Sequence, residues 1–91
     1  MHYVYVLVSE SNKPENYIGE TSDLRIRFEQ HNSGKNASTR GRKWRLVYYE
    51  AYASKKAAQK RERLLKKNGR SRQLLMRRIW KSLSEDDAKL R

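Results

Sequence analysis

The chain has 91 residues, with 22 Lys and Arg against 10 Asp and Glu, a formal net charge of +12 and no cysteine. That length bounds it to one domain with a modest core, and the missing cysteines exclude disulfides, thiolate metal sites and cysteine catalysis. The cationic excess points to a polyanionic partner, nucleic acid above all, but structural RNA-binding proteins share it, so charge alone does not argue for chemistry. No apolar run nears membrane-spanning length and no signal peptide precedes the first strand, so a cytoplasmic protein with no membrane contact is expected.

Tyr3-Val4-Tyr5-Val6-Leu7-Val8 is aromatic and β-branched with both faces apolar, the pattern of a strand buried on two sides. Ser9 to Asn16, with Asn12, Pro14 and Asn16, is a polar connection that lets the chain double back. Asn16-Tyr17-Ile18-Gly19 follows as a second strand, which Gly19 is expected to end in a tight turn. A helix is expected from about Ser22, as N-cap, to Asn32, with Leu24 and Phe28 as its buried stripe and Gly34 available for a left-handed position beyond it. Lys35 to Lys43 reads as an exposed, mobile loop carrying Lys35, Arg40, Arg42 and Lys43. Trp44 to Tyr52 is the third strand, and its aromatics Trp44, Tyr48, Tyr49 and Tyr52 are assigned to the core. Ser54 caps a second helix that stops at Asn68-Gly69, and Ser71 caps a third. This third helix runs to about Leu83, with Leu74, Leu75, Ile79 and Leu83 inward and Trp80 flanking. Residues 1–83 form the single domain, and a polar tail that frays occupies 84–91. The order β-β-α-β-α-α is an α/β (α+β) pattern, a small three-stranded antiparallel sheet with helices on both faces.

Two groupings carry chemistry. Tyr17 leaves a strand just before Arg27 and His31, which stand four apart and project from one helix face. A phenol beside a guanidinium and an imidazole can hold a phosphate and move a proton. Glu62 is the second signal, the only acid between Glu50 and Glu85 in a stretch crowded with cations. It flanks the packed face of its helix, with Ala58 a turn before and Leu65 a turn after. Its plain explanation is a helix-stabilising ion pair. The sharper one is an anchor for Mg2+, which one or two carboxylates can hold while waters and phosphate oxygens complete its shell.

Taken in order, Tyr3-Val4-Tyr5, eleven residues, Tyr17-Ile18-Gly19, Arg27, His31 and Glu62 resemble the GIY-YIG nuclease domain, from about Tyr3 to Asn68. In length the chain is similar to the small stand-alone bacterial members. The three-residue motif carries little by itself; the ordered set is specific. The resemblance implies a three-stranded antiparallel sheet flanked by helices and metal-dependent hydrolysis of a phosphodiester, usually in DNA and often in DNA repair, with one Mg2+ or Mn2+. It implies that Tyr17 is the general base and that Tyr5 positions water or phosphate. It further implies that Arg27 clamps the scissile phosphate, His31 transfers a proton or touches phosphate, Glu62 holds the metal, and Asn68 matches an asparagine some members keep. Two positions depart from the family pattern: Tyr3 stands in place of a glycine, and Glu20 follows Gly19 where DNA-repair members have lysine. A free tyrosine, with a pKa of about 10, is a poor base at neutral pH, and a guanidinium and a dication are what stabilise a phenolate.

The loop cations together with Lys60, Lys66, Lys67 and Arg70 are expected to form a non-specific phosphate-binding surface on DNA, with RNA as the other polymer. A monomer is expected. Taken singly, Tyr5 reads as core packing, Tyr17 equally as a packed aromatic or a site residue, His31 as a helix-dipole partner and Arg27 as a solvated helix residue. The alternative function is therefore a basic nucleic-acid-binding module of the same fold with an idle site.

Overall fold

The computed structural model describes residues 1–37 and 39–90, with side chains described as far as residue 85. Ser38 of the basic loop, Arg91 and the side chains of 86–90 in the polar tail lie outside the described residues. The strands are β1 (His2–Ser9), β2 (Asn16–Thr21) and β3 (Trp44–Tyr52), and the helices are α1 (Leu24–Asn32), α2 (Lys55–Lys67) and α3 (Gly69–Leu90). The sheet has the order β2-β1-β3, and β1 pairs antiparallel with both neighbours. The expected α+β order, β-β-α-β-α-α, is the one observed.

The central strand explains why both of its faces are apolar. Val4, Val6 and Val8 point to one side, where Ile18, Ala58, Leu65, Leu75, Met76 and Ile79 bury them under α2 and α3. Tyr5 and Leu7 point to the other, against Trp44, Tyr17, Leu24, Phe28 and Leu46. Each such side chain, taken fully out of water, stabilises the fold by about 1.5–3 kcal/mol. Helices on both faces follow from this, since neither apolar surface can be left wet.

The β1–β3 register slips by one residue: Val6 faces Tyr48, whereas Leu7 faces Leu46. Val47 is the extra residue of this bulge and joins the valine-lined face beside Tyr48. Strand alternation is thereby broken in mid-strand. Trp44 and Leu46 serve the Tyr5 face, while Tyr48, Glu50 and Tyr52 serve the other. Tyr49 consequently sits opposite Tyr5 near the rim and is exposed rather than in the core, its ring edge-on to Tyr3.

Several expected boundaries are corrected. Gly19 does not end β2; it lies inside the strand, directly opposite Tyr5. Its missing side chain makes room, because a Cβ there would stand 2.4 Å from the Tyr5 hydroxyl. The N-cap of α1 is Asp23 rather than Ser22: its carboxylate accepts from the Ile26 N–H at 3.0 Å. Thr21 Oγ1, accepting from the Asp23 N–H at 3.1 Å, fixes the entry to that helix. Gly34 does take the left-handed conformation, at φ +81°. Gly69 opens α3 instead of stopping α2, and Asn68 does both jobs. The Asn68 N–H bonds the Leu64 carbonyl, and its Oδ1 accepts from the Ser71 N–H at 3.0 Å. Helix α3 starts three residues earlier than expected, and it buries Leu75, Met76 and Ile79, while Leu74, expected in the core, is 53% exposed. The helix also continues past Leu83 to Leu90, through most of the stretch expected as tail. No helix of the described residues is long and apolar enough to cross a membrane.

Candidate active site

On the Tyr5 face, cross-strand pairing sets Tyr5 beside Gly19 and Leu7 beside Tyr17. Helix α1 crosses this face and presents His31, its one fully buried residue. The result is a packed group of rings. Tyr17 meets His31 edge-on with centroids 4.7 Å apart, and the Tyr5 and Trp44 rings each lie 6.3 Å from Tyr17.

Inside this group runs a chain of polar contacts. Tyr5 Oη is 2.8 Å from His31 Nε2, and His31 Nδ1 is 2.8 Å from Thr39 Oγ1. Burial and the neighbouring Arg27 charge both lower the His31 pKa from its ordinary value, so the imidazole is held neutral. Burial above all, and then Tyr17, raises the Tyr5 phenol well above its ordinary value, against the pull of Arg27. Tyr5 therefore remains a phenol and is spent on His31. The Tyr17 hydroxyl, in contrast, makes no hydrogen bond with another described residue, and its ring is only half-buried.

Arg27, one turn before His31, is half-buried and makes no hydrogen bond or ion pair with another described residue. Arg25 behaves differently: it pairs with Glu29 at 3.6 Å, and its side chain is 90% exposed. Glu62 comes to the site from α2. That helix packs on the valine-lined face against β1 and β2, yet its Glu62–Lys66 side reaches the β2 edge where Tyr17 stands. The Lys66 ammonium lies 5.8 Å from the Tyr17 ring centroid and 3.7 Å from Glu62 Oε1, and the Glu62 charge is felt at Tyr5. This i,i+4 pair also satisfies the plain explanation of Glu62 as a helix-stabilising acid. Being partly exposed, it is weak and readily exchanged.

Among the described residues, no three His, Asp or Glu side chains converge as a metal cage. The donor set fits a hard dication in one way only: Glu62 as the protein ligand, with waters and oxygens brought by a phosphate completing the shell. Glu20, the acid after Gly19, is also felt at Tyr5, but its side chain does not face the tyrosines. Its register partner is Val4, so it points to the opposite face of the sheet, 3.5 Å from His2 Nδ1.

A match to a family model, described as the GIY-YIG catalytic domain, covers residues 1–76. The chain belongs to the GIY-YIG family. Among its relatives is a UPF0213 protein of Streptococcus pneumoniae, 44% identical over 71 residues that cover 76% of this chain and 72% of the relative. Another, from Clostridium perfringens, is 41% identical over 76 residues, 81% of this chain and 80% of that one. A third, from Haloquadratum walsbyi, is 39% identical over 67 residues, 71% and 73% of the two chains. No solved structure gives a significant match. GIY-YIG domains are nuclease domains that use divalent metal ions, so nucleic acid is the class of substrate and phosphodiester hydrolysis the class of reaction.

The remaining sequence-predicted residues scatter. Lys60 and Lys67 lie on the back of α2 with Arg63 and Leu64, lining an open groove of about 900 Å³ and turned well away from Glu62 on the helix wheel. The groove is roomy, but the convergent polar groups lie at the tyrosines, which makes that side the candidate site. Asn68 borders the groove and is occupied in capping. Arg70 is exposed at the start of α3. In the loop, Lys35 and Lys43 are exposed. Arg40 donates to the Gly34 carbonyl at 3.0 Å, and Arg42 pairs with Glu15 while lying 5.9 Å from the Trp44 ring.

That loop is not simply an exposed, mobile excursion. Thr39 is fully buried, and the Trp44 indole N–H donates to its carbonyl at 2.9 Å. Asn32 clamps the far end through two bonds to the Trp44 backbone, at 3.1 and 2.7 Å. Thr39 and Asn32 were missed from the sequence. A threonine among small polar residues has no local signature; only its contact with His31 marks it.

Proposed function

We propose that this chain is a metal-dependent endonuclease that hydrolyses phosphodiester bonds in DNA, acting as a monomeric single domain in the cytoplasm. One observation carries the reading: Tyr5, Tyr17, Arg27, His31 and Glu62 come from four separate elements and meet at the β2 edge. Ordinary core packing accounts for the rings, but not for a Tyr17 hydroxyl and an Arg27 guanidinium that bond no other described residue on the side where the Arg27 charge acts on Tyr5 and His31.

In this reading Arg27 binds the scissile phosphate and offsets the charge that grows on its oxygens. Tyr17, half-buried and with its hydroxyl bonded to no other described residue, takes the proton of the attacking water. Tyr5 and His31 form the buried backing that holds Tyr17 in place. Glu62 would hold a Mg2+ or Mn2+ ion, which supplies Lewis-acid stabilisation of the phosphate and the leaving oxygen. Lys35, Lys43, Lys66 and Arg70 add positive charge for the flanking phosphates, with Arg40, Arg42, Lys60 and Lys67 contributing at longer range.

Single-turnover cleavage of DNA at saturating protein, with Mg2+ or Mn2+ and with EDTA, tests it. Tyr17→Phe keeps the ring and removes the hydroxyl, and should slow cleavage by about 10²–10⁴-fold. Arg27→Ala should slow cleavage and weaken binding together, and Glu62→Ala should abolish cleavage with DNA binding retained. Arg25→Ala, on the solvent side, should cleave at the parental rate. Equal rates for the parent and all three site variants would dismiss the site, and binding without cleavage by the parent would leave the idle module.

A further inference from the structure

We infer that Thr39 is a positioning residue: its hydroxyl fixes the tautomer of His31 and thereby the direction of the Tyr5 O–H, which is donated inward to His31 and leaves the Tyr5 oxygen only as an acceptor. The hydrogen-bond inventory supplies the argument. Thr39 Oγ1 donates to the Asn36 carbonyl at 3.4 Å, a group that can only accept. With that proton directed to Asn36, the 2.8 Å contact of Thr39 Oγ1 with His31 Nδ1 is received from an Nδ1–H. A neutral imidazole protonated at Nδ1 has its lone pair on Nε2. Nε2 then accepts the Tyr5 O–H across the 2.8 Å contact. Tyr5 has no proton left to offer, so a further partner must donate to it.

The surroundings enforce this one arrangement. His31 and Thr39 are fully buried and Tyr5 is 2% exposed, so no bulk water competes for the ring nitrogens. The depressed basicity of His31 keeps a second proton off the ring. The Trp44 indole bond to the Thr39 carbonyl holds the hydroxyl against His31. Reversal of the tautomer would turn Tyr5 round, making it a donor toward the site and an acceptor from His31.

The catalytic consequence rests on the nuclease reading; the tautomer does not. Two-bond ¹H–¹⁵N spectra of the imidazoles resolve the tautomer directly, and with only His2 and His31 in the chain, His2→Gln assigns the signals. The parent should show His31 protonated at Nδ1 alone. Thr39→Val should move His31 to the Nε2–H form or to a mixture and slow single-turnover cleavage by about tenfold. Thr39→Ser, which keeps the hydroxyl, should restore both. A parent protonated at Nε2 overturns the inference even if Thr39→Val does not fold, and so does a Thr39→Val spectrum identical to the parent's. A tautomer that responds as stated in a protein that cuts no DNA supports the Thr39 assignment and removes the nuclease reading instead.

Discussion

At the scale of single residues, His31 links stability to pH. Burial and Arg27 hold its pKa below the ordinary imidazole value of 6.5. The unfolded chain therefore binds a proton at His31 more readily than the folded one. The sign follows: this contribution is complete above about pH 6.5 and is lost as pH falls through that value toward the lower folded pKa. Urea denaturation between about pH 8 and about pH 5 should show stability declining with acid, and His31→Gln should flatten the decline. The Glu50 carboxyl works in a separate window. Burial would raise its pKa, but the bonds from Arg61, Tyr48 and Tyr52 outweigh burial and hold it below 4.5, so its loss comes only in stronger acid. A decline of the same slope in His31→Gln would mean that other groups carry it.

Legibility in the sequence also differs residue by residue. Tyr5, Tyr17, Arg27, His31 and Glu62 could be picked out as a group by type and order, and the structure brings them together. The division of labour between the two tyrosines could not be read in this way. It depends on which hydroxyl His31 occupies, a contact across 26 positions of chain. Thr39 was invisible for the same reason, and Gly19 was mistaken for a strand end because a glycine that relieves crowding looks no different from one that turns the chain.

At the scale of elements, α2 must be held at one rotation for Glu62 to reach Tyr17. The lock is on the other face of the sheet. Arg61, the residue before Glu62, donates to Glu50 of β3 from Nε at 2.9 Å and from Nη2 at 3.0 Å. The Tyr48 and Tyr52 hydroxyls donate to the same carboxylate, Tyr52 at 2.7 Å. Burial, then the Glu50 carboxylate, push the Tyr48 phenol up to about 12, so it remains a donor at any ordinary pH. Glu50→Gln leaves a partly buried guanidinium with no counter-charge. Because the Arg61 side chain is still 29% exposed, the expected loss is moderate, about 1–2 kcal/mol. A shift of the urea midpoint reads it, and an unchanged midpoint would show that α2 is held by its apolar contacts alone.

Sequence periodicity placed all six elements and misjudged their ends. Asn68 shows why. One asparagine closes α2 through its N–H and opens α3 through its side chain, so the junction needs neither the glycine stop nor the serine cap that local rules supply. Which of the neighbours Leu74 and Met76 enters the core was likewise not legible, since both border the apolar stripe and only packing against α2 and the sheet decides between them.

At the scale of the whole molecule, the net charge of +12 is spread over more than one surface. The tyrosine side carries Arg27 and Lys66, while the back of α2 carries Lys60, Arg63 and Lys67. Binding to duplex DNA should therefore be weakly dependent on sequence and steeply dependent on salt, each phosphate contact adding about −0.9 to the log–log slope. Fluorescence anisotropy across a salt series measures it, and an affinity that stays flat from low to moderate salt would rule out a broad electrostatic footprint.

The extra residue at Val47 has a consequence for how the two halves of the molecule can vary. Because the pleat is reset there, Trp44 and Leu46 back the tyrosines, while Tyr48, Glu50 and Tyr52 grip α2, all from one continuous strand. The two sets are thereby insulated from each other's geometry. Deleting Val47 would restore regular alternation with Tyr48 still opposite Val6 and Leu46 still opposite Leu7, so both sets would keep their faces and only the valine-lined face would lose a packed side chain. A one-residue deletion there would leave the tyrosines their backing, whereas the same deletion elsewhere in β3 would turn one set of side chains over.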